Sequence, residues 1–208
     1  GGIVRRGEDR FVLSNNHVLA NENDARPGDS ILQPAPADRG GPQDDIAKLE
    51  RFIEIQFDPP DSASFLQRLT IRLGIRPAII EGVENFVDAA IARPLRDELV
   101  DDSILGLGRP SGMGEVEAGE SVKKSGRTTG LTEGRVLATE ATVQVHYGRL
   151  TATFADQVVA GPMSRGGDSG SLVVNRRNEV VGLLFAGSDT ATIWNRSRRV
   201  ADALGVEF

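Results

Sequence analysis

Short runs of alternating apolar and polar residues make up most of this chain. Residues 2–14 read as a hairpin, with Ile3-Val4-Arg5-Arg6 and Phe11-Val12-Leu13-Ser14 on either side of a turn at Gly7-Glu8-Asp9-Arg10. A polar stretch rich in Pro and Gly follows over residues 21–44, broken only by a short strand at 30–33. Residues 46–57 alternate as a strand, with Leu49, Arg51, Ile53, Ile55 and Phe57 on one face. Between residues 61 and 74 the period changes. Phe65, Leu66, Leu69 and Leu73 recur at helical spacing after two prolines, and Gly74 stands at the stop position, so a helix inserted between strands is expected. Strand signals resume at 85–92, more weakly at 103–107, and then at 121–124, 134–145, 149–154, 157–159, 171–174 and 180–185. Residues 195–204 read as a short amphipathic helix with Val200, Ala203 and Leu204 facing inward. Many short strands, no internal repeat and no βαβ rhythm predict an all-β sandwich or a pair of barrels.

Composition agrees with many turns: 24 glycines and 10 prolines stand against 5% aromatics. The 208 residues suffice for one sizeable domain or two smaller ones sharing an interface. Gly-rich residues 108–119 look like a linker, dividing an N-terminal unit (1–107) from a C-terminal one (120–208). The net charge is −6, and the basic pairs Arg5-Arg6, Lys123-Lys124 and Arg176-Arg177 are scattered, so no nucleic-acid partner is expected. No run approaches the roughly 20 apolar residues of a bilayer-crossing helix. The absence of cysteine excludes disulfides and thiol chemistry; it fits the cytoplasm without requiring it, and leaves the compartment open. Asp44-Asp45 and Asp101-Asp102 lack calcium-loop spacing, and neither metal nor cofactor is expected. The chain opens on Gly-Gly, not Met, the start expected of a processed or truncated protein, which leaves room for further domains or an activating partner.

Two segments carry candidate chemistry. The first is Gly166-Gly167-Asp168-Ser169-Gly170-Ser171, followed by the apolar Leu172-Val173-Val174. A serine hydroxyl is a poor nucleophile unless a turn fixes it, a base activates it and N–H donors await the oxyanion. Flanking glycines permit that turn and leave its N–H groups uncovered. The second is Ser14-Asn15-Asn16-His17-Val18, one of only two histidines, placed at the end of a strand where a neutral imidazole can act as base. The other, His146, lacks ligand-like neighbours and reads as a strand or turn residue.

Gly-Asp-Ser-Gly-Ser resembles the nucleophile motif of trypsin/chymotrypsin-like serine proteases. Ser-Asn-Asn-His-Val is similar to the histidine motif of their bacterial HtrA-type branch. The resemblance implies two six-stranded antiparallel Greek-key barrels, an active site between them, and a protein or peptide substrate hydrolysed by a His–Asp–Ser triad. The acid must then lie between His17 and Ser169. Asp88, in Phe86-Val87-Asp88-Ala89-Ala90-Ile91, and Asp45, in Asp44-Asp45-Ile46-Ala47-Lys48, both look like the family's acid segment. Asp88 precedes the serine by about 80 residues and Asp45 by about 120, against about 90 in the chymotrypsin layout. Spacing favours Asp88, and Asp45 remains the second candidate.

The same resemblance assigns the oxyanion hole to the N–H groups of Gly167 and Ser169. It puts Met163, six residues before the serine, at the base of the primary specificity pocket, and makes Phe185, Ala186 and Gly187 its wall. With no acidic residue at 163, a shallow apolar pocket for small or medium uncharged side chains is expected. Phe185 stands where the family usually has a serine supporting the acid. The stretch before His17 is short for a complete first barrel, and no PDZ module follows the catalytic region. Residues 124–134 resemble the Gly-rich turn opening the second barrel, and they lack a phosphate-loop pattern.

Overall fold

The structure, a computed structural model, describes residues 1–59 and 84–208; the expected helix at 61–74 lies outside them. In the N-terminal half five strands, β1 (Gly2–Arg6), β2 (Asp9–Ser14), β3 (Ser30–Leu32), β4 (Asp45–Phe52) and β5 (Ala90–Pro94), form one antiparallel sheet in the order β1-β2-β5-β4-β3. The C-terminal half is a closed antiparallel barrel of β6 (Ser121–Gly126), β7 (Gly130–Tyr147), β8 (Leu150–Ala160), β9 (Leu172–Val174), β10 (Val180–Gly187) and β11 (Thr192–Arg196), in the order β10-β11-β8-β7-β6-β9. One helical turn, α1 (Asn16–Leu19), follows β2, and α2 (Ser197–Leu204) closes the chain, ended by Gly205 in a left-handed conformation.

The C-terminal barrel has the six strands expected, whereas the described N-terminal sheet has five. Other differences are local. The first hairpin turns on Gly7-Glu8 alone, because Asp9 and Arg10 pair in register with Arg6 and Arg5. β4 stops at Phe52, and a bulge between Leu49 and Arg51 breaks the alternation, leaving Arg51 exposed. Of the run 85–92 only the last three residues join a ladder. Residues 103–107 form no strand but a turn closed by an Ile104–Gly108 bridge. The segments 149–154 and 157–159 are one strand, β8. In α2, Val200 and Leu204 are buried as expected, with Ala201 in place of Ala203.

The largest buried cluster belongs to both halves. Val4, Phe11, Leu13 and Ile91 from the sheet pack with Leu172, Val174, Leu183, Val200 and Leu204 from the barrel and α2. Each such side chain contributes about 1.5–3 kcal/mol on burial. The two units are thus welded through a common core, which fixes the cleft above it. A second cluster around Trp194, with Val122, Val136, Val158 and Leu184, fills the barrel itself.

Candidate active site

β2 delivers Ser14 and then turns into α1, placing His17 at the rim of a cleft between the halves. The two asparagines of the motif have separate tasks. Asn15 Nδ2 donates to the Asp88 carbonyl at 2.8 Å. Asn16 Nδ2 donates to the carbonyl of Ile53 and to Asn23 Oδ1, both at 2.7 Å, and Asn16 Oδ1 accepts from Asn23 N–H. Asn16 thereby anchors a turn in which Asn21, Glu22 and Asn23 have φ of 47°, 58° and 84°. Left-handed non-glycine residues cost of order 1–3 kcal/mol each and persist only where surrounding bonds hold them. This turn sets Glu22 on the cleft wall beside His17.

Asp88 is fully buried just before β5. Its Oδ2 lies 2.5 Å from His17 Nδ1, and its Oδ1 accepts the His17 backbone N–H at 3.2 Å. Behind it an amide chain crosses into the barrel. Asp88 N–H donates to Asn195 Oδ1 at 3.0 Å, Asn195 Nδ2 donates to Gln157 Oε1 at 2.8 Å, and Gln157 Nε2 donates to the Phe86 carbonyl at 3.0 Å. Asp45, the second candidate, is engaged elsewhere. It accepts from Lys48 Nζ at 2.5 Å and Ser30 Oγ at 2.8 Å in the β3–β4 hairpin.

Ser169 sits half-buried on the same cleft, whose volume is about 770 Å³. Its turn is tied from below by Asp168, whose buried carboxylate accepts from the N–H groups of Thr128 (2.8 Å), Thr129 (3.1 Å) and Arg165 (3.0 Å), from Thr129 Oγ1 (2.6 Å), and from Lys124 Nζ (3.1 Å). Burial alone would raise the pKa of this carboxyl, but the Thr129 hydroxyl and the three backbone donors outweigh it and hold the group well below the usual carboxylate range. Lys124 is itself fully buried and also bonds Thr129 Oγ1 and the Gly130 carbonyl.

The Gly166 carbonyl accepts from Thr128 Oγ1 at 2.9 Å. Because C=O and N–H point oppositely across a trans peptide, this bond turns the Gly167 N–H away from Thr128. Among the described residues, neither the Gly167 nor the Ser169 N–H has an internal acceptor. Gly167 adopts φ +94°, and a Cβ there would collide with Thr128 Oγ1. Gly170, at φ +86°, lets the serine turn approach the histidine strand, since a Cβ there would fall on Ser14 Oγ. Gly170→Ala is expected to lower stability by at least about 1–2 kcal/mol from backbone strain alone and to widen the gap between Ser169 and His17. Thermal melting checks this, and an unchanged midpoint would disprove the close approach.

The structure therefore brings His17 and Asp88 into direct contact and places Ser169 on the same cleft, with no Ser169 Oγ–imidazole hydrogen bond in this conformation. Such bonds are often long before substrate tightens them. Phe185, Ala186 and Gly187 line the cleft. Met163 does not. It is 4% exposed in the barrel core, where a Cβ on Gly134 would strike its sulfur, and its neighbour Ser164 reaches the cleft instead. His146 is a strand residue, on β7, and lines the cleft as well. Sequence reasoning passed over Tyr147, whose hydroxyl donates to Asp88 Oδ2 at 2.9 Å, and also Lys124, Asn195, Gln157 and Glu22.

A closed six-stranded barrel, a second antiparallel sheet and a short C-terminal helix around this cleft define the chymotrypsin-like fold. Comparison with known proteins agrees. The family model described as peptidase S7, flavivirus NS3 serine protease, matches residues 163–201, the serine turn and the strands after it. Among solved structures, the Nocardiopsis protease NAPase superposes with a TM-score of 0.62 at 16% identity, over 100% of this chain and 89% of that one. Thermobifida fusca protease A gives 0.61 at 15% identity, over 100% and 88%. A glutamic-acid-specific serine protease, described as using a histidine triad in substrate binding, gives 0.60 at 20% identity, over 99% and 89%. At these identities the likeness is one of fold. No curated protein matches the chain in sequence.

Proposed function

We propose that this chain is a serine endopeptidase in which Ser169 is the nucleophile, His17 the general base and Asp88 the residue that orients the base. The observation that carries the reading is the 2.5 Å contact between His17 Nδ1 and the buried Asp88 Oδ2, on a cleft also lined by Ser169, whose turn holds two uncommitted N–H groups. With Nδ1–H donated to Asp88, the lone pair of Nε2 is left to take the Ser169 proton as Oγ attacks the scissile carbonyl. The tetrahedral oxyanion is received by the Gly167 and Ser169 N–H groups, each donor being worth about 2.7–4 kcal/mol of barrier. The imidazolium then protonates the leaving amine, and water repeats the sequence on the acyl-enzyme.

The β9 ladder on β10 ends at Leu183, so the edge of residues 185–187 is open for an extended peptide to pair with. Beside it Ser164 reaches the cleft with an uncharged hydroxyl, 2.9 Å from the buried Thr192 Oγ1. This supports cleavage after small or medium uncharged residues; in a peptide library, dominant cleavage after Lys or Arg would refute that preference. The Ser14-Asn15-Asn16-His17-Val18 segment supports a place in the HtrA-type branch.

The deciding experiment is labelling by a fluorophosphonate with mapping of the modified residue. Wild type should carry the label on Ser169, and His17→Ala should not react. Folded wild-type protein that binds peptides yet stays unlabelled would establish the rival reading, a peptide-binding module without turnover.

A further inference from the structure

The carboxylate that holds the imidazole has a donor from the opposite half of the molecule. The hairpin of β7 and β8 extends out of the barrel and is pinned to the N-terminal half at several points. Asp58 N–H donates to the Thr151 carbonyl at 2.7 Å, Asn85 N–H to the Thr153 carbonyl at 2.9 Å, and Ala155 N–H to the Asn85 carbonyl at 2.8 Å. Tyr147 ends β7, at the tip of this hairpin. Its ring packs edge-on against His17 (centroids 5.9 Å apart, planes at 63°) and Phe57 (5.8 Å, 75°), and leans on Phe154 (6.3 Å). With the ring held by these contacts, its hydroxyl meets Asp88 Oδ2, the same oxygen that faces His17 Nδ1.

We propose that Tyr147 is a positioning residue of the hydrolysis, setting through its hydroxyl both the orientation of Asp88 and how tightly that carboxylate holds the imidazole proton. The inference rests on the catalytic reading given above. Among the described residues, the titratable groups facing the phenol are Asp88, His17 and Glu22. Burial, then the Asp88 charge and its hydrogen bond, push the phenol well above its ordinary value, so it stays a donor across the working pH range. A donor on Oδ2 draws charge from that oxygen and weakens its pull on Nδ1–H. Removing the donor strengthens the pull, and more alkaline solution is then needed to free the base. Position 185 cannot supply the donor, being phenylalanine packed on Phe154 at 4.8 Å.

Tyr147 is the chain's only tyrosine, so the donor can be removed or graded without touching another. In Tyr147→Phe, kcat should fall about tenfold with KM nearly unchanged, and the acidic limb of kcat/KM should move about half a unit to one unit higher in pH. Replacing tyrosine with 3-fluorotyrosine, a stronger donor, should move the limb the other way. The Nδ1–H proton resonance of His17, identified by its loss in His17→Gln, should shift downfield in Tyr147→Phe and upfield in the fluorinated protein. A limb and a resonance that stay fixed in both variants, whatever happens to melting temperature, overturn the proposal. The resonance does not need turnover. If wild type proves inactive and unlabelled, the catalytic reading fails while the coupling of Tyr147 to the Asp88–His17 pair is still decided.

Discussion

Ser169→Ala should leave a folded protein whose kcat on a peptide substrate is lower by about 10⁶-fold, with His17→Ala at nearly the same floor and the double variant no lower. In the proposed mechanism the two groups act in one step: an imidazole without a hydroxyl to deprotonate, or a hydroxyl without a base, loses the whole effect. What remains comes from the N–H donors and substrate binding, which neither substitution touches. The two variants differ in stability. Ser169 Oγ has no internal partner among the described residues and is half-exposed, so its loss should stay within about 0.5 kcal/mol. His17→Ala deprives a fully buried carboxylate of its ring donor and should cost about 1.5–3 kcal/mol. Asp88→Asn keeps the shape but presents a donor to Nδ1, which favours the wrong tautomer and should cost about 10⁴ in kcat. Asp45→Asn, in a hairpin turned to Lys48, should leave turnover untouched. Turnover in Ser169→Ala within a hundredfold of wild type would move the nucleophile elsewhere.

Segments legible in the sequence were those whose signal is local. The β1–β2 hairpin shows because Phe11 and Leu13 point to the core while Arg10 and Val12 do not. The serine turn shows because Gly167 and Gly170 flank Asp168-Ser169 within a few residues, a pattern that is legible without any distant partner. β11 was passed over because its inward residues include Thr192 and Asn195, both fully buried and both polar, so hydropathy counts them as solvent-facing. The one-face reading of β4 failed at the bulge after Leu49, since an inserted residue reverses the faces without leaving a mark on composition. Met163 was placed by counting back from the serine, which fixes a backbone position but not the side to which the chain turns its side chain. Tyr147 and Asn195 reach Asp88 from 59 and 107 residues away. No window on the sequence spans such contacts. They exist only once the common core has brought barrel and sheet together.

Lys124→Met should damage both stability and catalysis, although Lys124 is absent from the cleft lining. The ammonium and the Asp168 carboxylate are both fully buried. Removing one member of such a pair leaves the other without its counter-charge, a loss of up to about 3–5 kcal/mol. Asp168 immediately precedes the proposed nucleophile, and its bonds to Thr128, Thr129 and Arg165 tie down the turn that carries the Gly167 and Ser169 N–H groups. Relaxing that turn by the equivalent of one oxyanion donor should lower kcat by about 10²–10³-fold, with KM changed far less, because the edge of residues 185–187 lies on another strand. Lys124→Arg, which keeps the charge, should recover most of both losses. The pH dependence has a definite sign. Asp168 is held ionised below the usual carboxylate range, so its contribution is present above the ordinary carboxyl pKa of about 3.9 and disappears as pH falls through the lowered folded value. Without the ammonium the carboxylate keeps four donors but loses its counter-charge, the folded value rises toward the ordinary one, and acid unfolding should begin at higher pH than in wild type. Melting curves between pH 2 and pH 7, taken beside rates of fluorophosphonate labelling, measure the two effects separately. A variant that melts earlier yet is labelled at the wild-type rate would show that the ion pair supports the barrel without governing the oxyanion donors.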